Sequence, residues 1–535
     1  MFSPLGRMRP AFLLLGSLAV PAGADAQIVP LTVPKGQVRF DVWGRFDNYD
    51  HRFHDGVKEE AAGDFDRPAL DDTYLSTLAD AETRLRRITG IADLRLSLGR
   101  PHVTELVNIG TAGLGAALGL TSRITLFGTV PIVRVRVQPT FHLDSLGATA
   151  AFNPADPVFG GNGGTQTAEF FTQFGTAVTA LQTRLQSGAY DSVPGLKAMA
   201  QHTLDQATML RDELFALILA PATASPFLPR TGTAAATQLL GLIQTLQATL
   251  AGPLGLPGFT QTPGLPSAPL TGAQFAQFVT DPNGPIQGRP FDPPTLSVIG
   301  DIELGAALLW LDRFPRSTSG SGIRSVAQGL VRLPTGQLDR SDRFFDVGTG
   351  NGHVDVDLSL ATDLALGRLG ARLTGAYTLQ FPGSLTRRVA PPEQPIAPAS
   401  RTAEVRRDPG EIWRVSAQPF FRLGSSLSLF AGVEQWHKAS DRFEYAAGQQ
   451  PIEGVDVSVL NQGTAASATT VSAGVSFAHS GAGADATGKR AAPRRGGRYP
   501  LDASLRYDAV VASGQGRVPE TRSVRMEIRF YTKLW

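Results

Sequence analysis

Residues 353–366 read HVDVDLSLATDLAL, with Val354, Val356, Leu358, Leu360, Leu364 and Leu366 on one parity and His353, Asp355, Asp357, Ser359 and Asp363 on the other. A period of two over this length fits a β-strand with one apolar face and one hydrated face. The pattern recurs through the C-terminal half. In SVRMEIRFYTKLW it sets Val524, Met526, Ile528, Phe530 and Leu534 opposite Arg525, Glu527, Arg529 and Lys533. A soluble sheet uses such a strand once or twice. Repetition in an exported chain without cysteine points to an all-β transmembrane fold, an antiparallel outer-membrane β-barrel.

Export is read from the start of the chain. Arg7 and Arg9 precede an apolar run at 11–20, and Ala24, Asp25 and Ala26 form a small-x-small cleavage pattern, so residues 1–26 read as a secretory signal. That run is shorter than the roughly 20 residues of a spanning helix, and no later run reaches that length. Cys 0 removes disulfides, thiolate zinc sites and cysteine nucleophiles together. A formal charge of +2 gives no pull toward nucleic acid. Gly 58 and Pro 38 suit many turns and long irregular loops.

Strand-like runs fall at 37–47, 104–118, 124–138, 295–311, 323–333, 353–366, 371–381, 411–423, 427–438, 469–479, 501–513 and 523–535. That is a barrel of about twelve strands, an even number, each near or above the roughly 9–11 residues of a tilted membrane strand. Residues 87–99 are ambiguous. If the last strand descends to the periplasm, the turns at 119–123, 367–370 and 424–426 are inner and short. The loops 334–352, 382–410 and 439–468 are then outer and long, as such barrels require. Residues 480–500 break the rule, being long on the inner side.

The barrel strands divide into 27–138 and 295–535, separated by an insertion at 139–294. Within it, 167–186 places Phe170, Phe174, Val178, Leu181 and Leu185 at helical spacing, and 196–219 continues with Leu196, Met199, Leu204, Leu210, Leu214 and Leu217. Shorter helices are expected near 235–250 and 272–280, with Asp191, Ser192 and Pro194 supplying the turn and cap chemistry between the first two. Parity places this large α-helical insertion in an extracellular loop, as a gate, plug, partner-binding element or inert cap.

A Lys or Arg facing lipid at mid-depth costs about 2–4 kcal/mol, so the charged parity must face the lumen. The pore-lining candidates are Arg134, Arg136, Asp301, Glu303, Asp355, Asp357, Asp363, Arg506, Arg525 and Arg529. Acidic strands four and six would then face basic strands eleven and twelve, giving either a transverse field across a hydrated pore or self-compensating pairs filling a narrow one. Trp43, Trp310, Tyr377, Trp413, Trp436 and Tyr531 are candidates for interfacial girdles.

Two segments carry a family resemblance. GLTSRITLFGTVPIVR at 119–134, and LVRLPTG at 330–336 followed by GTGNGHVDVDLSL at 348–360, resemble the signatures of the MetA-pathway phenol-degradation family. The resemblance covers mainly 104–138 and 295–381 and implies a barrel that passes small, often aromatic or hydrocarbon-like, compounds. One departure is that Trp535 falls on the lumen parity, whereas barrel C-termini recognised by the assembly machinery usually end on a lipid-facing aromatic.

No HExxH, Cys–His spacing, GxSxG or GxxxxGK[ST] occurs, and Asp355 and Asp357 sit on a strand without a calcium loop's glycine. The reading is a non-enzymatic channel or transporter for passive passage of small solutes in the outer membrane of a Gram-negative-type bacterium. Its partners are membrane lipid, the barrel assembly machinery and the solute. No cofactor or metal is implied. The alternatives are a surface adhesion protein anchored by its barrel, and an outer-membrane hydrolase.

Overall fold

The computed structural model describes residues 31–161, 163–315, 319–423, 427–479 and 501–535. The expected secretory signal, the turn at 424–426 and the connection 480–500 lie outside them. Twelve strands form one closed antiparallel barrel: β1 (Gln37–Tyr49), β2 (Arg100–Gly119), β3 (Ile124–Asp144), β4 (Ile302–Asp312), β5 (Ser321–Leu333), β6 (Asp355–Leu366), β7 (Leu369–Gln380), β8 (Ile412–Arg422), β9 (Leu427–Lys438), β10 (Ala466–His479), β11 (Leu501–Gln515) and β12 (Arg522–Lys533). Each pairs with its neighbours in sequence, and β1 pairs with both β2 and β12. Closure leaves the ring without a free edge, which hydrocarbon would not tolerate.

The outward parity is apolar and exposed. Phe40, Val42, Leu126, Leu358, Leu360, Leu373, Val415, Leu429, Leu505, Met526 and Phe530 stand outside the ring and are exposed. A belt of this extent is stable only against lipid. The fold is a transmembrane β-barrel of the outer-membrane type. No described helix is long and apolar enough to cross a membrane.

Two inward rings lie flat against the wall because the residue beneath is glycine. Trp43 pairs across strands with Gly113, where an added Cβ would sit 2.0 Å from the indole, and Phe127 pairs with Gly305, where it would sit 2.5 Å from the ring. Parity also sorts the girdle candidates. Trp310, Tyr377 and Trp413 face outward and are exposed, whereas Trp43, Trp436 and Tyr531 face inward and are buried. At the end of β12 the amides of Leu534 and Trp535 both approach the Gly36 carbonyl, at 2.8 and 3.3 Å, so the ladder stops and Trp535 leaves strand parity.

Residues 120–123 and 367–368 connect strands at one end of the barrel, beside Gln37 and Lys533. The long connections 50–99, 145–301, 334–354, 381–411 and 439–465 cluster at the other end. There they build a cap around α1 (Ser76–Thr89), α2 (Gly163–Gln186), α3 (Leu196–Ile218), α4 (Ala234–Ala251) and α5 (Gly272–Thr280). Phe170, Phe174, Leu214, Ile243, Leu250, Phe275 and Phe278 form its core. The first helix was not anticipated, although Leu78, Ala81, Leu85 and Ile88 have helical spacing and Gly90 closes it in the left-handed conformation, φ 71°. The cap of α3 also differs from expectation. Gly195 in the left-handed region occupies it without a side-chain cap, and Asp191 pairs instead with the Lys197 ammonium of the first turn at 2.8 Å.

Strands β2 and β3, 20 and 21 residues long, rise beyond the others. Their inward Val103, Val107, Ile109, Val135 and Val137 join the cap core. The fourth strand is interrupted: Leu296–Ile299 pairs with upper β3, and the ladder resumes at Ile302 after Gly300 and Asp301.

Candidate functional site

The inward parity of the barrel is a ladder of charges. At its outer end Asp301 sits in the strand break and accepts the backbone amides of Gly336 (2.8 Å) and Asn351 (2.9 Å). It thereby clamps the LPTG and GTGNGH segments to the wall. Thr335 adds a hydroxyl bond to the Gly300 carbonyl (2.7 Å) and accepts the Ile302 amide (3.0 Å). The motif residues are thus explained by the architecture of one corner.

Below it Arg332 bridges Glu303 and Asp355, at 3.0 and 2.8 Å. Asp355 also receives Asn351 Nδ2 (3.1 Å) and lies 3.1 Å from His353 Nε2. Asp357 accepts from the Thr378 hydroxyl (2.7 Å) and from Arg414. Asp363 is held between Arg324 (2.6 Å) and Arg372, which is fully buried. On the other wall Arg506 pairs with Asp508 (2.6 Å), and Arg529 pairs with Glu527 (2.7 Å) and lies 3.8 Å from Asp41. Arg525 stacks over the Trp43 ring at 4.9 Å and approaches Glu527 at 3.7 Å.

Eight of the ten expected pore-lining residues therefore face inward, but not as two opposed walls. Arg324, Arg332, Arg372 and Arg414 interleave with the acids of β4 and β6, and Asp41, Asp508 and Glu527 interleave with the arginines of β11 and β12. Adjacent strands place opposite charges side by side, and a carboxylate desolvated in the lumen is stabilised by its nearest guanidinium, not by one across the barrel. Pairing replaces the transverse field. Arg39, Arg372 and Arg414 were missed as site residues, though the same alternation marks them: Arg372 lies beside outward Leu373, and Arg414 between outward Trp413 and Val415.

Arg134 and Arg136 require a correction. Both stand on the outer face of β3, on the parity of Leu126, Val130 and Ile132, and are exposed. The cause is a change of surroundings along the strand. Above the membrane the inward side meets the apolar cap and the outward side meets water, so Val135 and Val137 turn in and the arginines turn out.

Filling of the lumen is incomplete in hydrogen-bond terms. Gln418, 1% exposed, has neither its amide nitrogen nor its amide oxygen bonded to a described residue, and the Thr374 hydroxyl and the Nε atoms of Arg414 and Arg422 are likewise unmatched among them. Gln418 pairs in register with Arg372, at the Asp363 knot. Buried polar atoms in such number need water.

At the outer face a cavity of about 1030 Å³ opens between the end of α5, the 338–342 loop and the hairpin strands Gly383–Arg388 and Thr402–Asp408. Arg289, Arg340 and Arg388 line it with Asp339, Asp342, Leu338 and Leu385. Asp342 joins Arg340 (2.8 Å) to Arg289 (2.9 Å), and these bonds hold its carboxyl well below the usual range. Arg388 stacks over Phe344 at 5.5 Å, and burial pulls its pKa down. The described residues bring ligand-type atoms together at Asp50, His51 and Glu520, where the Lys58 ammonium already pairs with Glu520 at 2.8 Å.

No family model and no curated protein matches the chain. Among solved structures, similarity is found to an outer membrane channel from Pseudomonas putida F1 (10% identity, 94% of this chain and 97% of that one, TM-score 0.41). It extends to the translocator domain of autotransporter NalP from Neisseria meningitidis (8% identity, 96% and 92%, TM-score 0.28). A Pseudomonas aeruginosa FadL homologue is also similar (7% identity, 98% and 100%, TM-score 0.29). The likenesses are of barrel type, and the architecture above rests on strand register and the apolar belt.

Proposed function

We propose that the protein is an outer-membrane channel or transporter for small solutes, entered from outside beside the cap and gated by the charge ladder of the lumen. The unmatched polar atoms around Gln418 carry this reading. A barrel interior built only as filler would satisfy its buried amides or use apolar side chains, whereas a hydrated passage leaves them to water. Each knot of the ladder also offers a second partner: Asp363 has two guanidinium partners, and Arg332 two carboxylates. The ladder favours polar or amphipathic solutes over pure hydrocarbon. The cationic and apolar walls of the outer cavity suit a compact, anionic and aromatic one, in keeping with the family resemblance of 119–134 and 330–336.

The rival reading, a barrel that only anchors its cap, is favoured by the burial of nearly all the charge pairs. Planar-bilayer recording separates the two. We expect single-channel steps that grow in size or open time in Arg372→Ala and in a chain lacking residues 145–290. Silence from all three proteins, each shown to be inserted, leaves the anchor. Liposome swelling with benzoate, glucose and toluene then ranks the solutes, and the expected order places benzoate first.

A further inference from the structure

The outward arginines of β3 stand in a register that gives them companions. Arg136 pairs with Asn108 on β2, Asn108 with Asn48 on β1, and Asn48 with Arg522 on β12. All four occupy the parity that faces away from the lumen. They form one transverse rung, about 14 Å long at the usual strand spacing. The next rung inward in the membrane is Arg134, Gly110, Phe46 and Val524, and the one after it is Ile132, Ala112, Gly44 and Met526. Phe46, Ile132, Val524 and Met526 are exposed members of the apolar belt. The rung therefore marks the upper edge of the lipid-facing surface, on one sector of the barrel. On the opposite wall, the outer ends of β7 and β8 carry exposed Tyr377 and Trp413.

Arg134 and Arg136 make no hydrogen bond or ion pair with any described residue, and both are exposed. Arg522 lies 3.7 Å from Glu520, whose carboxylate is also bound by Lys58 at 2.8 Å. Two guanidinium groups two residues apart on one strand face repel each other and hold a concentrated positive potential at an apolar boundary. They stand where the apolar belt gives way to water, so an amphiphilic anion can set its charge on them and its chains on the belt below. Guanidinium forks match phosphate oxygens, and the neighbouring Asn48 amide matches a sugar hydroxyl.

We propose that the rung Arg136, Asn108, Asn48 and Arg522, with Arg134 beneath it, binds the phosphorylated sugar headgroup of an outer-leaflet glycolipid, whose acyl chains lie on Phe46, Ile132 and Val524. The site is independent of solute passage. The test uses the full chain in detergent with three probes: lipopolysaccharide, the same material dephosphorylated, and phosphatidylglycerol. Binding is read by native mass spectrometry. We expect lipopolysaccharide to bind, its dephosphorylated form to bind at least tenfold more weakly, and the Arg134→Gln/Arg136→Gln protein to lose about twenty-five-fold in affinity, at about fivefold per arginine. Arg368→Gln, at the opposite rim, should bind as wild type. Heat-shifted migration in gels confirms that each variant is folded. Undiminished binding by the double variant overturns the proposal, as does phosphatidylglycerol binding as tightly as lipopolysaccharide.

Discussion

Asp357 and Leu358 are neighbours on β6 and face different solvents. Leu358 is half exposed to the lipid side, whereas Asp357 is buried in the lumen against Arg414 and Thr378. Leu358→Arg should therefore lower barrel stability by about 2–4 kcal/mol and reduce the fraction inserted. Asp357→Asn keeps its place and the Thr378 contact but leaves the Arg414 charge poorly compensated. That chain should insert normally and show a lower urea midpoint. Gel migration with and without boiling reads the first effect, and urea titration in detergent the second. Equal insertion of both variants would mean that the faces are assigned wrongly. Single residues were legible wherever one parity is apolar and the other charged, as in 353–366. Arg134 and Arg136 were misread because that rule assumes lipid outside and water inside along the whole strand. On β3 the rule reverses past Ile132, where the cap supplies an apolar interior to Val135 and Val137.

That reversal is a property of the element. In β2, Leu114 faces out at membrane depth, while higher on the same strand Val103, Val107 and Ile109 face in and Asn108 faces out. A strand whose apolar parity switches without a bulge records where the bilayer ends and a packed cap begins. The signal is present in the sequence, but it is visible only once the strand is known to run on to Asp144. The four helices of the 145–295 segment were legible because their apolar spacing is long and regular. The cap's fifth helix, α1, was obscured by five charged residues among its fourteen. Close-packed glycines form a second element-level device. The Trp43 ring occupies the space a Cβ at Gly113 would need, and it carries Arg525 on its face. Gly113→Val should drive the indole off the wall and cost about 1–3 kcal/mol, as overpacking does. Adding Trp43→Ala should recover most of that loss in the same urea titration, and no recovery would place the strain elsewhere.

For the whole molecule, strand order fixes sidedness. An even barrel brings both ends of the twelve-strand ring to one rim, where Gln37 pairs with Lys533 and the connections 120–123 and 367–368 are short. The cap, the outer cavity and the glycine-rich corner at Asp301 lie at the other rim. Because the chain contains Cys 0, single cysteines report orientation without background. Ser341→Cys, in the cavity wall, should react with a membrane-impermeant maleimide on intact cells. Arg368→Cys, in a short turn, should react only after the outer membrane is permeabilised. Labelling of Arg368→Cys on intact cells would invert the barrel. It would also place the cap and its cavity on the periplasmic side, and the basic rung of β1, β2, β3 and β12 in the wrong leaflet for a phosphorylated glycolipid. One labelling pattern thus bears on entry, gating and lipid contact together, because all three depend on which rim faces outward.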